Sequence, residues 1–176
     1  MAEAEPRKSR LKRLAGKIDA LEEKDAETLR QSRLVTAQRR EAAFQLYQLC
    51  RDFVDAVNNI LTRGHVILDP PHYGDESFHE DAANLIQMNA RGRILQVEFE
   101  VTPELVSTED FRVPYTLQGF VRGFNQELLE KELIEEQLIF YTLEKPGPIW
   151  RFFDVRTHRS GPLDQEYLIS LLERLV

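Results

Sequence analysis

A chain of 176 residues, 42% apolar and 30% charged, has room for one core of ordinary size and leaves a highly charged remainder. Its net charge of −7 is unevenly split: residues 1–41 carry 11 Lys/Arg against 8 Asp/Glu, net +3, and residues 42–176 carry 12 against 22, net −10. The larger part is therefore a poor platform for nucleic acid, whose phosphates need clustered Lys and Arg. A single cysteine, Cys50, excludes an intramolecular disulfide. The N-terminal stretch has no apolar h-region, and no run approaches the roughly 18 apolar residues of a spanning helix. The expectation is a soluble, cytoplasmic protein without a membrane span.

In chain order, residues 1–6 are expected to be disordered, with Pro6 suited to a first helical turn because its missing N–H costs nothing there. Leu11, Leu14, Ile18 and Leu21 then recur at the a and d positions of a heptad, the spacing of a coiled-coil seam. The same register places Asp25, Thr28, Ser32, Val35 and Arg39 on the seam, and after them Ala42, Leu46, Leu49, Phe53, Ala56 and Ile60. The seam is apolar at both ends and polar in the middle. With no Pro, and no Gly after Gly16, to force a break, one long helix is preferred to a hairpin folding near residues 23–25. A charged arm, residues 1–40, is thus set apart from an α+β domain, residues 41–176.

Between residues 42 and 61 the apolar set widens to include Phe44, Tyr47, Val54, Val57 and Leu61, more circumference than one partner covers. One side is expected on a sheet and the other on a second chain. Gly64 reads as the helix cap. His65–Asp69 is a short strand ended by Pro70-Pro71, followed by an acid-rich loop to residue 82. Residues 85–89 and 93–101 read as a hairpin turning at Ala90-Arg91-Gly92. In its second strand Leu95, Val97, Phe99 and Val101 alternate with Gln96, Glu98 and Glu100, which favours an antiparallel sheet with one wet face.

Residues 115–124 form another strand, with Gly119 and Gly123 on the Leu117/Val121 face leaving room for close packing. Asn125 can cap a short helix to about Leu133. Residues 134–143 and 149–157 pair across Lys145-Pro-Gly-Pro148, read as a type II turn. A helix from about Pro162 closes the chain. The fold class is α+β: a long N-terminal helix, an antiparallel sheet of about five to six strands covered by helices, and a C-terminal helix.

Candidate chemistry is sparse. His72 and His79 lie among carboxylates in the 70–82 loop, residue types that hold zinc or manganese, but no fixed ligand spacing accompanies them and no metal or other cofactor is expected. Arg156, His158 and Arg159 precede the last helix, where free N–H groups and cationic side chains suit an anion. The basic run Arg7–Arg13 could touch a polyanion. Cys50, set among Leu46, Leu49 and Phe53, reads as a small buried hydrophobe. No catalytic residue is assigned, because no nucleophile, nucleotide or redox motif occurs.

The function expected from these features is a non-enzymatic scaffold or adaptor. It forms homo- or hetero-oligomers through Leu11, Leu14, Ile18, Leu21, Leu46 and Leu49 and presents an α+β binding domain to another protein. Two alternatives stand beside it. One is a ligand-binding or enzymatic domain with a pocket near Trp150, Gly119 and the Arg156–Arg159 turn. The other is a nucleic-acid adaptor using residues 7–13.

Overall fold

A computed structural model describes residues 7–106, 114–125 and 135–176. Helix α1 runs Arg7–Ile60, so the hairpin alternative for the arm is not adopted. The chain divides into two compact units, residues 1–38 and 39–176. Residues 1–6 and the expected helix between Asn125 and Leu133 lie outside the described residues, apart from Asn125 itself, which ends a strand.

Among the described residues of the second unit, seven strands follow one another across a single sheet in sequence order, every neighbour antiparallel. They are β1 Ile67–Asp69, β2 Asn84–Ala90, β3 Arg93–Val106, β4 Tyr115–Asn125, β5 Glu135–Thr142, β6 Ile149–Asp154 and β7 Arg159–Pro162. Helix α2, Gln165–Glu173, closes the chain. The expected count of five to six strands is corrected to seven. The added strand, β7, falls where the residues suggest a turn and a helix start. Its Ser160, Gly161 and Pro162 have little strand propensity of their own, but it pairs with Arg151–Asp154 of β6. Pro162 ends that strand. The helix begins three residues later, with the Asp164 carboxylate accepting from the Tyr167 N–H at 2.9 Å.

The expected alternation holds on β3: Leu95, Val97 and Phe99 are at most 1% exposed. Across the pairing they meet Met88 and Ile86 on β2 and Val121 on β4, all buried. Onto this face pack Ala42, Ala43, Leu46, Tyr47, Cys50, Phe53 and Val54 of α1, and Leu168 and Leu171 of α2. The α1 positions follow the three-and-four spacing of a helix face. Alanines at 42 and 43 let the sheet come close, and the Trp150 indole N–H donates to the Ala42 carbonyl at 2.8 Å.

Local chemistry explains most joints. The hairpin between β2 and β3 turns at Arg91 (φ 55°) and Gly92 (φ 88°), the two positive-φ positions of a tight hairpin turn, and Asn89 Oδ1 accepts from the Gly92 N–H. Two joints differ from expectation. Gly64 does not cap α1: it lacks positive φ, and the exit is held instead by the Asn58 amide, which donates to and accepts from the Val66 backbone at 2.9 and 2.7 Å. Gly147 likewise lacks positive φ, so the β5–β6 link is not a type II turn.

Glycines in β4 permit close approach, as expected. A Cβ at Gly119 would overlap the Glu98 carbonyl oxygen and lie 2.6 Å from the Phe99 Cα, and one at Gly123 would press on Leu175 at 3.2 Å.

Candidate functional site

The six residues assigned to an oligomer interface separate into two groups. Leu11, Leu14, Ile18 and Leu21 are 53–58% exposed, and every residue from 7 to 35 is exposed. Leu46 is 1% exposed and belongs to the domain's own core, and Leu49 is partly buried against that same core. Leu46 is therefore withdrawn from the interface: its contacts are made inside the chain. Heptad register continued smoothly across the boundary and carried no information about which partner each stretch meets.

Arg39 marks that boundary. Its guanidinium donates to Thr116 Oγ1 and to the Thr102 carbonyl, both at 2.9 Å, with Glu80 Oε2 at 3.5 Å. It thus ties α1 to β3, β4 and the loop before β2. Arg39 interrupts the seam between Val35 and Ala42, and that interruption was the available signal that the helix meets polar backbone there.

The proposed anion ligands Arg156, His158 and Arg159 are placed in the β6–β7 hairpin, not against the N-terminus of α2. Arg156 lies beside Asp154 at 3.9 Å, and His158 takes a left-handed turn conformation (φ 53°). Arg159 lines a cleft of about 380 Å³ together with Gln137, Asp154, Ser160, Tyr167, Ser170 and Arg174. Its floor is a stack of Phe152 on Tyr167, with ring centroids 3.9 Å apart and planes 3° from parallel. Burial pushes the Tyr167 phenol above its ordinary range. Gln137 is 4% exposed, and its buried Oε1 has no hydrogen-bond partner among the described residues. Arg174 is held by Glu135 at 3.3 Å. Of the expected pocket wall, Trp150 is core, edge-on to Phe99 at 5.5 Å, whereas Gly119 lines a different cleft.

A second cleft, of about 290 Å³, lies on the opposite sheet face between Tyr115, Phe120, Leu138 and Phe140, rimmed by Glu98 and Glu100. This face is not uniformly wet. Tyr115, Phe140 and Phe153 are buried there as a separate cluster. The unbroken run Leu138-Ile139-Phe140-Tyr141 carried that signal, since a strand with one wet face alternates. Beside the cleft Arg122 bridges Glu136 at 2.6 Å and Glu98 at 3.1 Å over the Phe120 ring. The Glu136 hydrogen bond holds its guanidinium above the usual range.

His72 and His79 fall in a loop anchored by aromatic packing. Tyr73 stacks on Tyr47 at 4.9 Å, the Tyr47 hydroxyl donates to the Pro70 carbonyl, and Asn84 bonds both backbone groups of His79. Among the described residues no group of three or more His, Cys, Asp or Glu side chains is arranged to hold a metal. Burial pushes the Cys50 thiol up to about 12, which removes the thiolate a nucleophile requires. No described helix is long and apolar enough to cross a membrane.

The fold and clefts thus describe an all-antiparallel α+β domain preceded by an exposed amphipathic helix. Compared with known proteins, the chain matches no family model, no curated sequence and no solved structure.

Proposed function

We propose that this protein is a non-enzymatic interaction module that oligomerises through the helical arm and presents the α+β domain to a further protein partner. One observation carries the reading: Leu11, Leu14, Ile18 and Leu21 stand more than half exposed at a/d spacing, on 29 consecutive exposed helical residues, 7–35. A helix without tertiary packing is marginal in water, because most helical stability comes from burying an apolar face. A partner helix supplies that burial.

Light scattering of the full chain at tens of micromolar tests it. The expected result is a mass above that of one chain, reduced to one chain in the double variant Leu14→Glu/Ile18→Glu while the domain's melting transition stays in place. A monomeric wild type would count against self-association.

A second reading, binding of a small polar ligand in the domain, rests on the buried Gln137 Oε1, which has no partner among the described residues and would accept from a ligand N–H or O–H, and on the Arg159 guanidinium at the same cleft, which would pair with a ligand anion. A thermal-shift panel of phosphate, carboxylate and nucleotide ligands tests it. A Tm rise lost in Arg159→Ala is expected, and no shift across the panel ends it.

A further inference from the structure

We infer that the arm pairs with a second copy of itself in antiparallel orientation, its centre level with Gly16; this rests on the self-association proposed above. Three features of residues 7–25 point the same way. First, turning one helix end over end about residue 16 sets Leu11 against Leu21 and Leu14 against Ile18, twice over. All four exposed apolar positions then share four seam layers. The same operation brings Arg7 opposite Asp25 at each end, where the apolar stripe stops.

Second, the charges run in blocks. Residues 7–15 carry five cations, Arg7, Lys8, Arg10, Lys12 and Arg13, and no acid, whereas residues 17–25 carry two Lys against four Asp/Glu, net −2. Antiparallel pairing lays the +5 block along the −2 block of the partner in both halves. A parallel, in-register pair lays +5 on +5 and stacks Asp25 on Asp25 inside the seam, a like-charge contact that disfavours that arrangement. Third, antiparallel helices set their macrodipoles in opposition, which parallel helices do not.

The flanks discriminate further. At the e positions the antiparallel pair brings Lys8 to Glu22. The g positions, Arg10, Lys17 and Lys24, are all basic, so Lys17 faces Lys17 of the other copy across the centre. A parallel pair instead joins Lys17 to Glu22. Lys17→Ala therefore has opposite signs in the two arrangements, because it removes a repulsion from one and an attraction from the other.

The test mixes full-length Leu11→Cys with full-length Leu21→Cys under mild oxidation and maps the linked peptides by mass spectrometry, with light scattering on each variant. Antiparallel pairing predicts 11–21 bridges. Two copies of residue 11 would lie ten residues, about 15 Å, apart along the axis, beyond the reach of a disulfide. Cys50 is buried in the core and does not compete. Alongside, sedimentation equilibrium of Lys17→Ala is expected to show dimerisation tightened about twofold.

Dominant 11–21 bridges with a tighter Lys17→Ala dimer support the proposal. Dominant 11–11 and 21–21 bridges, or a weaker Lys17→Ala dimer, overturn the orientation and leave self-association standing. A dimer forming neither kind of bridge overturns the register. A chain that stays monomeric at every concentration overturns both this inference and the association on which it rests.

Discussion

The two ends of α1 share one apolar period and meet different surroundings. Near its start Leu11, Leu14, Ile18 and Leu21 are all more than half exposed, and near its end Leu46 and Phe53 are at most 2% exposed. Spacing at three and four residues says only that a helix has a face to bury. What buries it depends on the width of that face and on its polar interruptions. In the domain half, Ala42, Ala43, Tyr47, Cys50 and Val54 widen the stripe enough to cover a sheet. In the arm the stripe stays one residue wide, flanked by Arg and Lys, which suits a single helix.

The sharpest way to break this contrast is Phe53→Ala. Phe53 is among the largest fully buried side chains, so removing it should cost about 3–5 kcal/mol, read as a lower urea midpoint for the domain. An unchanged midpoint would mean that α1 contributes little to the core.

High pH should act on the same buried face. The folded Cys50 thiol sits at about 12, above its ordinary value near 9, and burial likewise raises the Tyr73 phenol from 10 to about 12. Both groups ionise more readily once unfolded, so the native state holds more protons between these values. Stability should be fully present below pH ~9 and decline progressively toward pH ~12. Urea midpoints measured across that range check the sign, and Cys50→Ala should flatten the thiol's share of the decline.

Arg39→Ala probes the boundary. It leaves the Thr102 carbonyl without a donor it now has and strands Glu80, whose Oε1 has no partner among the described residues. The expected loss is about 1–3 kcal/mol in the domain transition. A loss confined to oligomer mass would instead return Arg39 to the seam.

Two arm substitutions complete the series. A Cβ at Gly16 would meet nothing within 4 Å, so Gly16→Ala should stabilise the arm helix by about 1 kcal/mol, seen as added helical circular dichroism signal. Leu14→Ala should move the domain's midpoint by less than about 0.5 kcal/mol while weakening association. A large shift in domain stability would place Leu14 in a contact with its own domain.

Much of this contrast could be read from residues alone. The α+β class, the β2–β3 hairpin at Arg91-Gly92, the inward set Leu95, Val97 and Phe99, and the close approach at Gly123 all follow from period, turn chemistry and missing side chains, which act over a few neighbouring residues. What escaped was non-local. Strand β7 exists because β6 offers it a ladder, not because Arg159-Ser-Gly-Pro162 prefers to be extended. The cleft that gathers Arg159, Gln137 and Arg174 draws on β5, β6, β7 and α2, four elements with no shared sequence signature.

By itself, then, the sequence determined where faces are apolar, where the chain turns and how charge divides between arm and domain. Each is a local property of side-chain chemistry and backbone preference. Tertiary structure alone decided that Leu46 is core while Leu14 stays exposed, that Arg39 is satisfied by Thr102, Thr116 and Glu80, and that the cationic turn lies on a hairpin rather than at a helix end. Burial and hydrogen-bond pairing are settled between residues far apart in the chain, as for Arg39 and Thr116, 77 positions apart, and no window of sequence contains both partners.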